Sequence, residues 1–285
     1  MLTLNCKGKL ISLQKPLVMG IINATPDSFY KGDLLRGMDE IKLIAEKMIA
    51  GGADIIDVGG QSTRPGSQRL NAKEESDRVI PVIKMLHAMY PNLVISVDTY
   101  HAVIAKNAID EGAGIVNDIS GGTMDEAMLH TVAKAGVPYV CMHMKGTPEN
   151  MHIEPSYENV VDEVMQFFIK KIYECEQAGI KDIIIDPGFG FGKTIEHNFT
   201  LLNSLSLFKI FNKPVLAGLS RKSTIYKTLG IDVEHALNGT TVMNTLALAN
   251  GADILRVHDV KEAKEAITLT QRYKKAAPIA GSGIV

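Results

Sequence analysis

Eight short, almost continuously apolar segments recur along the chain and alternate with longer segments of helical pattern. The apolar segments span 16–22, 53–58, 93–98, 114–118, 137–143, 182–186, 214–218 and 252–257. Parallel strands that are buried on both faces give continuous apolar runs of this kind rather than alternation. Helices between parallel strands form right-handed crossovers, and eight such units close a barrel. The sequence therefore predicts an α/β protein built as a single (β/α)8 TIM barrel.

The predicted barrel accounts for nearly all of the 285 residues, so we expect a single domain. Barrels of this class commonly reach such a length without a second domain. We assign residues 1–14 to a short N-terminal cap or hairpin across the barrel bottom, 15–275 to the barrel and 276–285 to a flexible tail. Two long connections, 23–36 and 59–71, follow the first two strands, and long loops are more often functional than accidental.

Residues at helix boundaries add two local expectations. Asp259 with Glu262, just after the last strand, has the spacing of a capping box, in which two side chains bond to the first turn of a helix. Pro81 stands inside a segment of helical pattern over 73–90, where a proline removes a backbone donor. We therefore expect a kink or a late helix start near Pro81.

Charge and cysteine usage limit the kind of protein that this can be. The formal net charge of −2 and an isoelectric point near 6.5 argue against a nucleic-acid-binding or anionic-membrane surface. Cys6, Cys141 and Cys175 are widely spaced and predict neither a disulfide framework nor a zinc site. The N-terminal residues lack a signal-peptide core, and the apolar run 17–22 is far too short to span a bilayer. We expect a cytoplasmic protein that binds neither nucleic acid nor membranes.

Polar side chains stand at the ends of the predicted strands. In a (β/α)8 barrel the carboxyl ends of the strands meet on one face, where the active site lies. Each residue taken singly has a structural alternative, because Asp, Asn and Ser are also common in turns and helix caps. Together they favour a small-molecule site. These strand-end residues are Asn23, Asp57, Asp98, Asn117, Asp118, His143, Asp186, Ser220, Arg221, Lys222, Arg256 and His258.

Three of these residues indicate a ligand whose planar edge is rich in N–H donors. Asp98, Asn117 and Asp186 offer oxygen acceptors, and a carboxylate can accept two parallel hydrogen bonds from a guanidine-like edge. Two aspartates close together would repel each other, and a donor-rich ligand would relieve them. Lys222 brings a compact positive charge to the same face.

Two further residues indicate an anion site on that face. Arg256 and His258 follow the eighth strand, in the region where such barrels often bind phosphate. An ion pair with a neighbouring aspartate is the competing interpretation of Arg256. For Asp57, which ends the second strand, organisation of the adjacent loop is favoured over direct contact with a substrate.

Two familiar motifs are excluded by single positions. The segment DPGFGFGKT (186–194) looks like a phosphate-binding loop, but Pro187 stands where the first glycine of that motif belongs. Gly218-Leu219-Ser220 begins like a nucleophile elbow, but Lys222 stands at the closing glycine position. The sequence thus offers neither a Walker A loop nor an activated serine.

Eight segments match one enzyme family in order and spacing. They are GIINATPDSF (20–29), GADIIDVGGQSTRPG (52–66), SVDT (96–99), NDISGG (117–122), MHMKG (142–146), DPGFGFGK (186–193), GLSRKS (218–223) and RVHDV (256–260). On these segments the chain resembles the dihydropteroate synthases from near residue 16 to near residue 273. The resemblance implies a pterin-binding TIM-barrel transferase of folate biosynthesis, the target of sulfonamides. Such an enzyme condenses 6-hydroxymethyl-7,8-dihydropterin pyrophosphate with para-aminobenzoate to give 7,8-dihydropteroate and pyrophosphate.

The resemblance also implies roles for individual residues. Those implied for the pterin are Asp98, Asn117, Asp186, Phe191, Gly218 and Lys222. Those implied for para-aminobenzoate are Phe29, Thr63, Arg64, Pro65 and Ser223. Those implied for pyrophosphate are Asn23, Arg64, Arg256 and His258, with Asn23 also assigned to Mg²⁺. Those implied in catalysis are Asn23, Asp98, Lys222, Arg256 and His258. The family further implies Mg²⁺ as cofactor and a homodimer.

Three alternative functions stay open on the sequence alone. A pterin-dependent methyltransferase shares the barrel and the acidic pocket, but it would not need the STRPG or SRKS segments. A pterin-binding protein without turnover would have no reason to keep Asn23, Arg256 and His258 for a leaving group. A general phosphate-binding barrel would not explain the set of Asp98, Asn117 and Asp186.

Overall fold

The computed structural model describes residues 2–24, 34–61, 70–151, 153 and 155–276, with the backbone alone described for 34–36. In these ranges the strands are β1 (Thr3–Cys6), β2 (Lys9–Ser12), β3 (Leu17–Asn23), β4 (Ile55–Gly59), β5 (Val94–Asp98), β6 (Ile115–Asp118), β7 (Tyr139–Met142), β8 (Ile183–Asp186), β9 (Leu216–Ala217) and β10 (Ile254–Val257). The α-helices are α1 (Leu34–Ala50), α2 (Ala72–Met89), α3 (Ala102–Asp110), α4 (Met128–Ala135), α5 (Val160–Ala178), α6 (Ile195–Asn203), α7 (Ser223–Leu229), α8 (Leu237–Ala249) and α9 (Val260–Lys275).

Eight parallel strands form one closed sheet. Their order is β8-β7-β6-β5-β4-β3-β10-β9. The two ends of this order meet through a parallel bridge between Ile185 and Val215, and Ile185 N–H donates to Pro214 O at 2.9 Å. Each apolar segment of the sequence overlaps one of the strands β3 to β10. The predicted (β/α)8 barrel is therefore confirmed.

Side chains of the strands alternate between two apolar layers. One layer lies between the sheet and the surrounding helices and includes Val18 and Ile185. The other fills the amino-terminal end of the barrel and includes Leu17, together with Leu4 and Cys6 of β1. Strands β1 and β2 form an antiparallel hairpin, so a hairpin covers this end of the barrel as predicted for residues 1–14. A packed amino-terminal end leaves the opposite end for a polar site.

Two helix starts differ from the sequence-based expectations. Helix α2 begins at Ala72 and continues past Pro81, which excludes a late start, and its capping box is formed by Asn71 and Glu74. The capping box predicted at Asp259 and Glu262 was wrong, because the Asp259 side chain makes no cap hydrogen bond to α9. Its carboxylate accepts two hydrogen bonds from the side chain of another strand-end residue, Arg221, each at 2.8 Å.

No helix in the described ranges is long and apolar enough to cross a membrane. That the whole chain forms one domain stays a prediction. So does the flexible tail over 276–285, since residues 277–285 lie outside the described ranges.

Candidate active site

The carboxyl ends of the strands enclose one polar cavity. Parallel pairing sets Asp98 of β5 level with Asn117 of β6, and Asp186 of β8 level with Met142 of β7. The three predicted acceptors therefore share this cavity. The lining residues are Asp98, Asn117, Ile119, Met142, Asp186, Phe191, Gly218, Lys222 and Arg256.

Asp57 of β4 is fully buried and connects two of the lining residues. Its Oδ2 accepts a hydrogen bond from Asn117 Nδ2 at 2.9 Å and one from Arg256 Nε at 2.7 Å. An ionised carboxylate can only accept, so the Asn117 amide turns its nitrogen toward Asp57 and keeps its oxygen for other partners. Among the described residues, Asp57 thus organises side chains of the cavity, whereas the sequence favoured a role in the adjacent loop.

Arg256 of β10 bridges two acidic residues. Its Nη2 donates to Asp98 Oδ2 at 2.5 Å, while its Nε donates to Asp57. Burial opposes the charge on the guanidinium, but Asp57 and Asp98 outweigh burial and raise the pKa of Arg256. The ion pairs that competed with a phosphate role for Arg256 are therefore present in the structure.

The cavity makes its own carboxylates hard to ionise. Burial raises the pKa of Asp98 to about 7; Arg256 acts in the opposite direction and Asp57 adds to the rise. Burial also raises the pKa of Asp186, against the attraction of Lys222. The carboxyl groups of Asp57, Asp98 and Asp186 thus lie in or beside a cavity that also contains the cations Lys222 and Arg256. A ligand that supplies N–H donors would reduce this repulsion.

Lys222 places its ammonium group over an aromatic wall of the cavity. Its Nζ lies 4.7 Å from the centre of the Phe191 ring and donates to the carbonyl oxygen of Phe189. Burial lowers the pKa of Lys222 to about 8, although Asp186 opposes this effect. Gly218 lines the cavity beside both groups: a Cβ there would lie in van der Waals contact, 3.7 Å from Lys222 Nζ and 4.0 Å from Asp186 Oδ2.

A glycine-containing loop after β8 carries Phe191 to the cavity. Asp186 Oδ1 accepts from the Gly188 N–H at 2.7 Å, and the buried Lys193 donates to the carbonyl oxygens of Gly188 and Phe191, each at 3.0 Å. Lys193 Nζ also lies 2.9 Å from His143 Nδ1. Burial, reinforced by Lys193, lowers the pKa of His143 to about 2, so this ring is a neutral acceptor. His143 therefore supports the loop and does not line the cavity.

We expect Gly188→Ala to disrupt this loop. Gly188 has φ of +71°, and a Cβ there would lie 1.9 Å from the backbone oxygen of His143. Left-handed backbone and forced repacking should together lower the free energy of unfolding by about 3 kcal/mol. Gly136→Ala is the matched control: φ is +64° and no atom lies within 4 Å, so only the backbone cost of about 1 kcal/mol should remain. Urea denaturation measures both, and equal losses would contradict the steric argument.

Several predicted residues do not line the cavity. Asn23 is exposed at the end of β3, His258 is exposed just after β10, and Ser223 is the first residue of α7. The pyrophosphate and para-aminobenzoate parts of the predicted site therefore stay predictions. The remaining predicted residues, Phe29, Thr63, Arg64 and Pro65, lie outside the described ranges.

Two apolar lining residues were missing from the predicted site. Ile119 and Met142 belong to a buried cluster with Phe191, Tyr100 and Met151. Met142 is the last residue of β7, and Ile119 follows directly after β6, so their positions at strand ends were visible in the sequence. An apolar residue at a strand end can belong equally to a cavity wall or to the core, so the sequence alone did not assign these two to the site.

Comparison with known proteins relates this arrangement to one family. The family model for pterin-binding enzymes matches residues 19–258. The chain is 42% identical over 267 residues to the dihydropteroate synthase of Escherichia coli (strain K12), a match that covers 93% of this chain and 94% of that protein. The chain belongs to the dihydropteroate synthase family of pterin-binding enzymes.

Solved dihydropteroate synthases share the fold of this chain. The Xanthomonas albilineans enzyme, solved with 4-aminobenzoic acid, superposes with a TM-score of 0.90 at 39% identity, covering 96% of this chain and 99% of that one. The Yersinia pestis enzyme, solved as a sulfonamide drug complex, superposes with a TM-score of 0.91 at 38% identity, covering 96% and 100%. The resemblance to dihydropteroate synthases seen in the sequence is confirmed.

Proposed function

We propose that this protein is a dihydropteroate synthase, which condenses 6-hydroxymethyl-7,8-dihydropterin pyrophosphate with para-aminobenzoate and releases pyrophosphate. One observation carries the proposal: Asp98, Asn117 and Asp186 share a buried cavity with Lys222 and Arg256. The similar enzymes from other organisms bind 4-aminobenzoic acid and a sulfonamide drug. We expect this chain to bind both classes of ligand.

The pterin would be held through its N–H edge. Asp98 and Asp186 would accept hydrogen bonds from the amino group and ring N–H donors, and Asn117 would contribute the amide oxygen that its bond to Asp57 leaves over. Phe191 would form a wall against the flat ring, with Lys222 above it. The carboxylates of Asp98 and Asp186 would also favour positive charge that develops on the pterin during the reaction.

Departure of pyrophosphate breaks the bond between the pterin methylene carbon and oxygen. The positive charges of Arg256 and Lys222 lie in the cavity and would stabilise the leaving group. We assign Asn23, Arg64 and His258 to pyrophosphate at the mouth of the barrel. The aromatic amine of para-aminobenzoate is neutral near pH 7 and attacks the methylene carbon without a strong base. The new bond joins carbon to nitrogen, and the surplus amine proton passes to the solvent.

We assign the para-aminobenzoate pocket to the same end of the barrel, next to the pyrophosphate site. Ser223 begins α7 directly after Lys222, so a ligand near Lys222 would also be near Ser223. The other residues assigned to this pocket are Phe29, Thr63, Arg64 and Pro65.

The donor set suits a magnesium ion that enters with the substrate. In the described ranges no three His, Cys, Asp or Glu side chains group together to hold a metal. Asn23, exposed at the end of β3, offers a single amide oxygen. Mg²⁺ typically takes most of its ligands from substrate phosphates and water. We propose that Asn23 holds Mg²⁺ in this way, and that the ion neutralises charge on pyrophosphate when bound.

A coupled assay tests the proposed reaction. The purified protein is given the pterin pyrophosphate and Mg²⁺, with and without para-aminobenzoate, and pyrophosphate release and 7,8-dihydropteroate are both measured. Release that requires para-aminobenzoate and matches the product mole for mole is the expected result. Release that ignores the amine would indicate hydrolysis or another acceptor. Binding of the pterin with no release would make the chain a binding protein.

Binding of the pterin should weaken as the pH falls through about 7. Above this pH Asp98 is ionised and both oxygens only accept hydrogen bonds. Below it the carboxyl group is neutral, and one oxygen becomes an O–H donor that opposes the donors of the ring. For 6-hydroxymethyl-7,8-dihydropterin without pyrophosphate, we expect roughly tenfold lower affinity at pH 6 than at pH 8 by calorimetry. Asp98→Asn should bind weakly at both values. A full pH step in that variant would assign the titration to another group.

We also propose a homodimer in a reducing, cytoplasmic setting. The three cysteines are free thiols and buried, which suits such a compartment. Adjacent helices α7, α8 and α9 carry a set of exposed apolar side chains, and such a patch is typical of an interface. The patch consists of Leu229, Val242, Leu246, Leu269 and Tyr273.

Sedimentation velocity tests the dimer. Leu246→Glu should shift the protein toward a monomer, because it places a charge in the middle of the patch. Ile169→Glu on α5 is the matched control, since Ile169 is an exposed apolar residue on a helix outside the patch. A wild-type monomer, or equal effects of the two substitutions, would contradict this interface.

A further inference from the structure

Ser220 and His258 lie next to each other at the ends of two paired strands. Strands β9 and β10 run parallel, with Ala217 level with Leu255. Ser220 follows β9 by three residues and is buried, and His258 directly follows β10 and is exposed. A buried hydroxyl group therefore stands beside an exposed imidazole at the mouth of the barrel.

The hydrogen bonds between these two residues fix the proton on the ring. The backbone N–H of His258 donates to Ser220 Oγ at 3.2 Å, so this oxygen already accepts one bond. Ser220 Oγ also lies 3.1 Å from His258 Nδ1. Within the described ranges, Ser220 Oγ has no other hydrogen-bond partner. The single hydroxyl proton is satisfied only if it points to Nδ1, which must then be an acceptor. A neutral ring whose Nδ1 accepts carries its proton on Nε2.

Desolvation and the surrounding positive charges keep the His258 ring neutral. Part of the His258 ring is exposed, but the residues around it at the carboxyl end of the barrel exclude water from much of its surface. This desolvation and the positive charge of Arg256 lower the pKa of His258 to about 4. Arg221 and Lys222 act in the same direction, and Asp259 opposes them. Above about pH 4 His258 is thus neutral, and its single N–H donor is on Nε2, because the Ser220 bond occupies Nδ1.

A second pair of residues braces the same two strand ends. Arg221 follows Ser220 and donates from Nε and Nη2 to the two oxygens of Asp259, each at 2.8 Å. The Arg221 backbone has φ of +54°, a conformation that non-glycine residues adopt at a cost. Its N–H donates to Thr240 Oγ1 at 3.0 Å. The contact between Ser220 and His258 therefore belongs to a turn that is held on both sides.

We infer that Ser220 is a positioning residue that holds His258 as a neutral ring with its proton on Nε2, ready to donate to pyrophosphate. The ligand in this inference rests on the proposed function, whereas the hydrogen-bond pattern does not. Ser220 touches no reacting atom in this assignment. It acts through the ring that it orients.

Nitrogen NMR of the free protein tests the tautomer. In protein labelled with ¹⁵N-histidine, His258 is assigned from the signal that is lost in His258→Gln. We expect an unprotonated Nδ1 and a protonated Nε2 in the wild type. In Ser220→Ala the Nδ1 signal should move toward that of a ring exchanging between tautomers, and Ser220→Thr, which keeps the hydroxyl, should restore it. A protonated Nδ1 in the wild type would overturn the inference.

Pyrophosphate binding, measured by calorimetry without the other substrates, tests the consequence. Ser220→Ala should lower the affinity for pyrophosphate roughly fivefold, which is the usual effect of losing one oriented hydrogen bond. The affinity for dihydropterin without pyrophosphate should stay unchanged. Thr240→Val is the matched control, because it loosens the same turn at Arg221 and spares the His258 bond. Unchanged pyrophosphate affinity in Ser220→Ala, or an equal loss in Thr240→Val, overturns the role of Ser220. Wild-type protein that binds no pyrophosphate instead overturns the proposed function, and the NMR spectrum still decides the tautomer.

Discussion

Arg256→Ala should both destabilise the protein and weaken binding of a pterin that carries no pyrophosphate. The guanidinium donates to Asp57 and to Asp98, so its removal leaves one fully buried and one largely buried carboxylate without their cation. Breaking a buried pair from one side typically costs about 3 to 5 kcal/mol. Asp98 would also lose the charge that opposes the rise of its pKa, and fewer molecules would present an ionised acceptor near pH 7. Urea denaturation and calorimetry with the dihydropterin measure the two effects.

A double variant separates loss of charge from loss of shape in the Arg256 experiment. Asp57→Asn combined with Arg256→Met replaces a charged pair by neutral groups of similar length. It should be more stable than Arg256→Met alone, because one uncompensated carboxylate has been removed. The reaction rate should stay low in both variants. If Arg256→Ala or Arg256→Met kept full pterin affinity and stability and lost only turnover, this prediction would be wrong, and Arg256 would act on pyrophosphate alone.

The barrel was predictable because its main signal is local. A strand buried on both faces must be apolar along its whole length, and that property is visible in segments such as 93–98 and 252–257. Strand order then follows from right-handed crossovers. Asp98, Asn117 and Asp186 could be grouped for the same reason, since the end of each strand is marked where the apolar run stops.

The partners inside the site were less predictable because they depend on distances across the barrel. Asp57 and Arg256 are separated by 199 positions in the sequence, and their Oδ2 and Nε atoms lie 2.7 Å apart. The sequence offered an ion pair and a phosphate contact as alternatives for Arg256, and nothing local distinguishes them. The closure of the barrel, which brings β10 beside β3 and β4 beside β3, forms the ion pair with Asp57. The contact with pyrophosphate stays a prediction.

Local patterns also failed where a tertiary contact competed with them. Asp259 and Glu262 have the spacing of a capping box, but the Asp259 carboxylate meets the guanidinium of Arg221 in a two-point contact. Such a charged pair is stronger than a hydrogen bond to a helix amide. Asp259 directly follows His258. Instead of capping α9, its carboxylate therefore holds the turn at Arg221, which lies beside the proposed pyrophosphate site.

Asp186→Asn should lower pterin affinity by at least about 100-fold, since it removes charge-assisted hydrogen bonds and sets an amide donor against the donors of the ring. The substitution keeps the shape of the side chain and an oxygen for the Gly188 N–H, which the carboxylate now holds at 2.7 Å. The loop should therefore stay folded, and the effect should appear in binding and not in the unfolding midpoint. Asp186→Ala should be worse in both measurements, because the Gly188 N–H is then left without its acceptor.

Asp118→Asn is the matched control for this last experiment. Asp118 is also a buried carboxylate at a strand end, but it accepts from the N–H groups of Ser120 and Gly122 and from Tyr139 OH, and it does not line the cavity. Its loss should lower the unfolding midpoint and leave pterin affinity within about twofold in the folded protein. If Asp118→Asn impaired binding as strongly as Asp186→Asn, then burial of any strand-end carboxylate would matter more than contact with the ring. The acceptor role of Asp186 would then have to be abandoned.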